Sequence, residues 1–332
     1  MEYRFLGKSG LKVSELSFGS WITIGDQSDT NGAYNLMKEA FDAGINFFDN
    51  AEVYSAGKAE TIAGKVLKKA GWKRSDLIIS TKIFWGGEGP NDKGLSRKRI
   101  VEGADSALQR LQLEYVDLIF CHRPDLYTPV EETVRAMNHV INQGKALYWG
   151  TSEWSATQLR EASHIARENN LIPPLMEQPE YNFFRRHRVE IEYKPLYEEM
   201  GLGTTTWSPL AGGILTNKYS GGIPEGSRFS LEKYSWLREK RLDTPEGRDK
   251  VEKTRKLKEV ADEMGVTLPQ MAIAWCLKNP DVSSVILGAS KTSQLKENLK
   301  AAEVLPMLTE DVIKQIEKIV DNKPEGEKDW RL

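Results

Sequence analysis

Four side chains in a sequence of 332 residues are of types that move protons or hold charge: Asp49, Tyr54, Lys82 and His122. Asp49 ends the stretch Ile45-Asn46-Phe47-Phe48, apolar but for Asn46, and Tyr54 follows it in a polar loop. Lys82 follows Leu77-Ile78-Ile79-Ser80-Thr81, and His122 follows Val116-Asp117-Leu118-Ile119-Phe120-Cys121. A phenol ionises near pH 10, roughly, so alone it is a poor acid at neutral pH. A nearby ammonium lowers that value by stabilising the phenolate. Asp49 would keep Lys82 charged and in place. Tyr54 would then donate a proton to a carbonyl oxygen as hydride reaches the carbon, with His122 hydrogen-bonded to the same oxygen.

Singly, most of these residues have plainer explanations. A strand-end Asp caps a loop, and a loop Tyr packs. Lys82 is the informative one, because a buried ammonium is costly unless it is paired. It would also suit a Schiff-base aldolase, but Asp49 and Tyr54 beside it favour a permanently charged lysine. His139, His164 and His187 sit in helical or polar stretches, and no His, Cys or carboxylate group has metal-ligand spacing.

Convergence of the four residues requires neighbouring strands. The spacing predicts a hairpin over Tyr3–Val13, then eight short apolar strands alternating with helices. Several helices stop at a glycine, such as Gly44, Gly71 and Gly144. This order predicts an α/β (β/α)8 TIM barrel, whose chemistry sits at the C-terminal strand ends. A doubly wound sheet would want Gly-x-Gly-x-x-Gly after its first strand. Gly201-Leu202-Gly203 precedes a strand instead. Extra helices are expected after strand seven and at the C-terminus. With no linker visible, residues 1–332 read as a single domain, with 322–332 as a flexible tail. Residues 208–245 form an insertion whose glycines would let it act as a lid over a cofactor.

The net charge of -2 gives no reason to expect nucleic acid or an anionic membrane as partner. No apolar run reaches membrane-spanning length, and no secretory signal is visible. Two distant cysteines, Cys121 and Cys276, fit free thiols in a reducing, cytoplasmic setting. Nine tryptophans is a high count, and Trp21, Trp85, Trp154 and Trp207 fall in loops where flat rings can wall a ligand pocket.

The segments Phe48-Asp49-Asn50-Ala51-Glu52-Val53-Tyr54, Leu113-Glu114-Tyr115-Val116-Asp117 and Cys121-His122-Arg123-Pro124-Asp125 resemble motifs of the aldo-keto reductases. Thr81-Lys82-Ile83-Phe84-Trp85-Gly86-Gly87, Glu131-Glu132-Thr133-Val134-Arg135-Ala136-Met137, Tyr148-Trp149-Gly150-Thr151-Ser152 and Trp207-Ser208-Pro209-Leu210-Ala211 are similar to one branch. That branch holds the beta subunits of voltage-gated potassium channels and their plant and microbial relatives. The likeness spans essentially the whole chain.

The resemblance implies an NADP(H)-dependent reductase of small carbonyl compounds with the tetrad Asp49, Tyr54, Lys82 and His122. Its substrate pocket would be lined by Trp21, Tyr54, Trp85 and His122. Cofactor contacts carry over to Ser20, Trp21, Gln27, Asp49, Ser152 and Gln178 around the nicotinamide. Trp207 would face the ring or pyrophosphate, with Ser208, Pro209, Leu210, Ala211 and Gly212 along the pyrophosphate. Lys218, Ser227, Arg228, Gly288, Ser290 and Gln294 would surround the adenosine 2′-phosphate, with Glu297 and Asn298 at the adenine. Independently of the family, Gly288-Ala289-Ser290 between a strand and a helix suits a phosphate, and Lys218 and Arg228 would complement its charge. The branch also implies a channel alpha subunit as partner, a redox-signalling role with slow turnover as the alternative function, and a homotetramer. Animal channel beta subunits carry asparagine where this chain has His122, which favours ordinary carbonyl reduction here. The chain starts at its first hairpin, so an inactivating N-terminal peptide is not expected.

Overall fold

Residue burial along the strands explains the architecture. All six residues of Ile78–Ile83, of Val116–Cys121 and of Val282–Leu287 are buried. Strands covered on both faces are the mark of a parallel sheet wrapped by helices. The computed structural model describes residues 1–21, 24–25, 29–326, 328 and 330–331. In chain order its elements are β1 (Tyr3–Phe5), β2 (Lys12–Ser14), β3 (Leu16–Gly19), α1 (Thr30–Asp42), β4 (Phe47–Asp49), α2 (Lys58–Ala70) and β5 (Ile78–Ile83). Then come α3 (Arg97–Leu111), β6 (Val116–Cys121), α4 (Val130–Asn142), β7 (Ala146–Thr151), α5 (Ala156–Glu168), β8 (Met176–Glu177), α6 (Lys194–Glu199) and β9 (Gly203–Thr206). The remainder is α7 (Ser235–Arg241), α8 (Pro245–Glu263), α9 (Leu268–Lys278), β10 (Val282–Leu287), α10 (Thr292–Leu299), α11 (Ala301–Val304) and α12 (Glu310–Val320).

Strands β3 to β10 close into a parallel barrel in which β10 pairs with both β3 and β9. This is the expected (β/α)8 TIM barrel. β1 and β2 form a separate antiparallel hairpin. Leu6 and Val13 of that hairpin segment are buried with Phe47, Ile78, Leu118 and Met176, so the hairpin plugs the N-terminal end of the barrel. The close fit at Gly7 needs glycine: its φ is +54°, and a Cβ there would lie 2.2 Å from the Gly201 carbonyl oxygen.

Helix ends follow their sequence signals. The Ser155 hydroxyl accepts from Gln158 N–H while the Gln158 side chain accepts from Ser155 N–H, a capping box opening α5. Ser96 caps α3 in the simpler way. Two helical stretches are broken. The periodic stretch 189–200 is a π-helical turn, Arg188–Glu192, followed by the short α6. Pro195 lies in the first turn of α6, where it lacks the N–H that a continuous ladder would need. The helical stretch after β10 is likewise divided, into α10 and α11.

The residues group into two compact units. The first comprises Met1–Pro179, Glu192–Trp207 and Asp281–Lys296 and contains the whole barrel. The second comprises Glu180–Ile191, Ser208–Pro280 and Glu297–Leu332. The second unit has its own aromatic core, in which Trp275 stacks on Tyr181 at 5.0 Å and lies 4.9 Å from Phe183. The Arg186 guanidinium covers the Trp275 ring and pairs with Glu190 at 2.9 Å and Glu317 at 2.6 Å. The insertion contributes Leu215, Tyr219 and Phe229 as buried residues.

Candidate active site

Barrel register brings the tetrad together. Gly19 on β3 pairs with Asp49 at the end of β4, and Lys82 on β5 pairs with Phe120 on β6, two positions before His122. Lys82 lies inside β5 rather than after it, since the strand runs on to Ile83. Its ammonium donates to Asp49 Oδ2 at 2.6 Å, to the Asn50 carbonyl at 2.8 Å and to Tyr54 Oη at 3.1 Å. Three N–H groups therefore meet three acceptors. Asp49 is held from its other oxygen by the Ser80 hydroxyl at 2.8 Å and the Gln178 amide at 3.1 Å.

The loop carrying Tyr54 is strained in a way that fixes the phenol. Ser55 and Ala56 both have φ near the left-handed region, at 50° and 52°. Non-glycine residues adopt that conformation at a cost, and such residues cluster at functional sites. The loop is pinned on its other side by Glu52, whose carboxylate accepts from Phe84 N–H at 2.7 Å and pairs with Arg99.

Burial dominates the electrostatics. It pushes the Tyr54 phenol well above its ordinary value, and the Asp49 carboxylate adds to the rise. Sequence reasoning expects the Lys82 ammonium to lower this phenol. The net direction is upward, because burial outweighs the lowering charge of Arg123. Lys82 is itself lowered by burial, with Asp49 opposing. Burial, then the charges of Lys82 and Arg123, hold His122 well below its ordinary range, so its ring is neutral.

Aromatic rings surround these groups. The Trp21 ring lies 6.5 Å from Tyr54 and 6.2 Å from Trp207, while Trp85 lies 5.0 Å from His122. Trp154, expected as a fourth wall, is buried, and among the described residues its ring meets none of these. Arg123 is the residue that sequence reasoning passed over. Its Nη1 donates to Ser152 Oγ at 3.1 Å, and its guanidinium lies between the Trp85 and Trp207 rings. The only signal was its place directly after His122.

The expected cofactor residues divide between the two units. In the first, Ser20 N–H and hydroxyl both donate to the Asp49 carbonyl at 3.0 Å, and the Ser152 hydroxyl donates to the Gln178 carbonyl at 2.7 Å. The Trp207 indole N–H donates to Glu153 at 3.1 Å. Gly288 is exposed, and the Gln294 side chain accepts from Ser290 N–H and hydroxyl at 3.1 Å. Gln27 lies outside the described residues.

In the second unit, Ser208 and Ala211 have left-handed φ of 57° and 48°, and Gly212 follows at 71°. This winds Ser208, Pro209, Leu210, Ala211 and Gly212 into a tight turn, closed by Gly212 N–H donating to Ser208 Oγ at 3.0 Å. Lys218 and Arg228 lie close enough that the Arg228 charge, after desolvation, lowers Lys218. Among the described residues, the buried Ser227 hydroxyl beside them finds no partner with hydrogen-bond geometry. Two near cations suit an anion rich in acceptor oxygens. Glu297 accepts from Lys300 at 2.8 Å and from Gln270, and Asn298 is buried.

Residues 15–321 match the model of the Aldo/keto reductase family. The chain belongs to that family. It is 56% identical, over 100% of both chains, to a protein of Arabidopsis thaliana described as a probable voltage-gated potassium channel subunit beta. A protein of Oryza sativa subsp. japonica with the same description is also 56% identical over 100% of both chains. Membership of the aldo/keto reductase family agrees with the closed barrel and with the sequence motifs that carry the resemblance. Among the described residues, no group of acidic, His and Cys side chains could hold a metal ion, and no helix is long and apolar enough to cross a membrane.

Proposed function

We propose that the protein is an oxidoreductase that reduces aldehydes and ketones to alcohols with NADPH, with Tyr54 as the proton donor. One observation carries this reading: Tyr54 Oη accepts a hydrogen bond from Lys82 while Lys82 is locked to Asp49. With its oxygen accepting from the ammonium, the phenol directs its own proton elsewhere, toward a substrate oxygen. As that proton leaves, the ammonium already lies where phenolate charge develops. The reduced nicotinamide supplies the hydride. His122, being neutral, has one N–H to offer. Its buried Nδ1 has no partner among the described residues, so that nitrogen is better carried as a bare acceptor. The proton then sits on Nε2, available to the same substrate oxygen.

NADP(H) is the cofactor this reading requires, held at the nicotinamide end by Ser20, Trp21, Ser152 and Gln178. Lys218, Ser227 and Arg228 would take the 2′-phosphate, supported by the adjacent charges of Lys218 and Arg228. The test is steady-state oxidation of NADPH and of NADH across a panel of small aldehydes. Turnover of several aldehydes with NADPH is expected, and none with either cofactor would defeat the proposal.

A second reading draws on the relatives described as probable channel beta subunits. In it the protein is a cytoplasmic homotetramer that docks on a channel alpha subunit and uses bound NADP(H) as a redox signal, with slow turnover. Sedimentation of the purified protein tests the tetramer, for which a monomer at micromolar concentration would count against it.

A further inference from the structure

Among the described residues around Tyr54, one cation has donors to spare. Lys82 uses its three N–H groups on Asp49, Asn50 and Tyr54. His122 is uncharged. Arg123 is different. Its Nη1 donates to the His122 carbonyl and to Ser152 Oγ, and among the described residues no carboxylate pairs with its guanidinium. The guanidinium centre lies 5.6 Å from the Trp85 ring centroid and 5.9 Å from that of Trp207. These rings belong to the same aromatic wall that meets His122 and, through Trp21, Tyr54. Its charge reaches the reacting groups, since it acts on Tyr54, Lys82 and His122 alike.

A half-buried arginine placed between two indoles and given no acid is an incomplete ion pair. Guanidinium is always charged, and its planar fork matches a carboxylate with two parallel N–H donors. Two indole rings near the guanidinium lower the local dielectric, which strengthens such a pair. The bonds to Ser152 and to the His122 carbonyl fix Nη1, so the fork is already oriented before a ligand arrives.

We infer that Arg123 is a specificity-determining residue that binds a carboxylate on the carbonyl substrate, so that the preferred substrates are oxo acids and acid-bearing aldehydes. This rests on the reductase reading, and the test keeps the two apart. The full-length protein would be assayed with para-carboxybenzaldehyde and para-carbamoylbenzaldehyde, which match closely in shape and differ in charge. Wild type should prefer the carboxylate. In Arg123→Met the ratio of kcat/KM for the two should fall about tenfold or more, through KM, with partial recovery in Arg123→Lys. Binding of benzoate, followed by tryptophan fluorescence with and without NADPH, should weaken by a similar factor in Arg123→Met. The NADPH dissociation constant should stay put. An unchanged ratio overturns the inference, and so does a loss of NADPH affinity that accounts for the effect, which would make Arg123 a cofactor ligand. If wild type reduces neither aldehyde, the reductase reading fails and the benzoate titration decides alone. Benzoate that fails to bind wild type, or binds Arg123→Met equally, then overturns the role of Arg123.

Discussion

Lys82 Nζ lies 2.6 Å from Asp49 Oδ2, and both side chains are closed to solvent. Removing one partner of such a pair leaves an uncompensated charge in the interior. Asp49→Asn should therefore destabilise the fold by roughly 3–5 kcal/mol, while the double variant Asp49→Asn/Lys82→Met should recover a substantial part. Urea unfolding midpoints of the three proteins give the comparison. Equal stability of wild type and Asp49→Asn would mean that Lys82 is neutral in the folded protein.

Tyr54→Phe should abolish aldehyde reduction and leave NADPH binding intact. The ring keeps its place against Trp21 and His122, and only the hydroxyl is lost. Single-turnover kinetics and a fluorescence titration of NADPH separate the two effects. Undiminished turnover in this variant would remove the proton-donor assignment.

The His122 ring should make stability depend on acid. Its folded pKa lies well below the ordinary 6.5, so below that pH the unfolded chain takes up a proton that the folded chain does not. Protonation then favours unfolding. Stability is complete above the unfolded value and falls at up to about 1.4 kcal/mol per pH unit as pH drops toward the folded one. His122→Asn lacks this proton site. Its melting temperature should gain on wild type between about pH 7 and about pH 5. Parallel curves for the two proteins would show that His122 titrates normally.

Arg228→Ala should weaken NADPH on the order of tenfold or more and leave NADH nearly unchanged, because a charge-assisted hydrogen bond is worth roughly 1.5–3 kcal/mol. Isothermal titration with each cofactor supplies the ratio. Equal losses for both would assign Arg228 to packing of the insertion.

The barrel was legible because buried parallel strands read as continuous apolar runs closed by turn residues. The meeting of Asp49, Lys82 and His122 on neighbouring strands was legible because Asp49 and His122 stand at strand ends and Lys82 interrupts an apolar strand. Less visible were the groups that hold them. Ser80 and Gln178 meet on one oxygen of Asp49 although Ser80 lies 31 residues and Gln178 lies 129 residues away in sequence. Such a meeting comes from strand register around a closed barrel, which no local pattern reveals. Arg123 carried no site signal of its own, since only the positions of Trp85 and Trp207 distinguish it. The insertion yielded least. Its order comes from short turns with left-handed residues such as Ala211 and Asn217, which have no periodicity to read.

Closure of the barrel has a consequence for how the chain is made. The last strand, β10, seals the cylinder by pairing with β3, so Leu287 meets Phe18 across nearly the whole sequence. A ribosome delivers residues in order, and the first seven strands emerge with no partner for one side of β3. Until β10 arrives, the nascent sheet has two raw edges, which are templates for pairing with other chains. Dependence on so distant a contact also slows folding. The same cylinder that leaves the finished barrel sheet without an edge gives its half-synthesised form two.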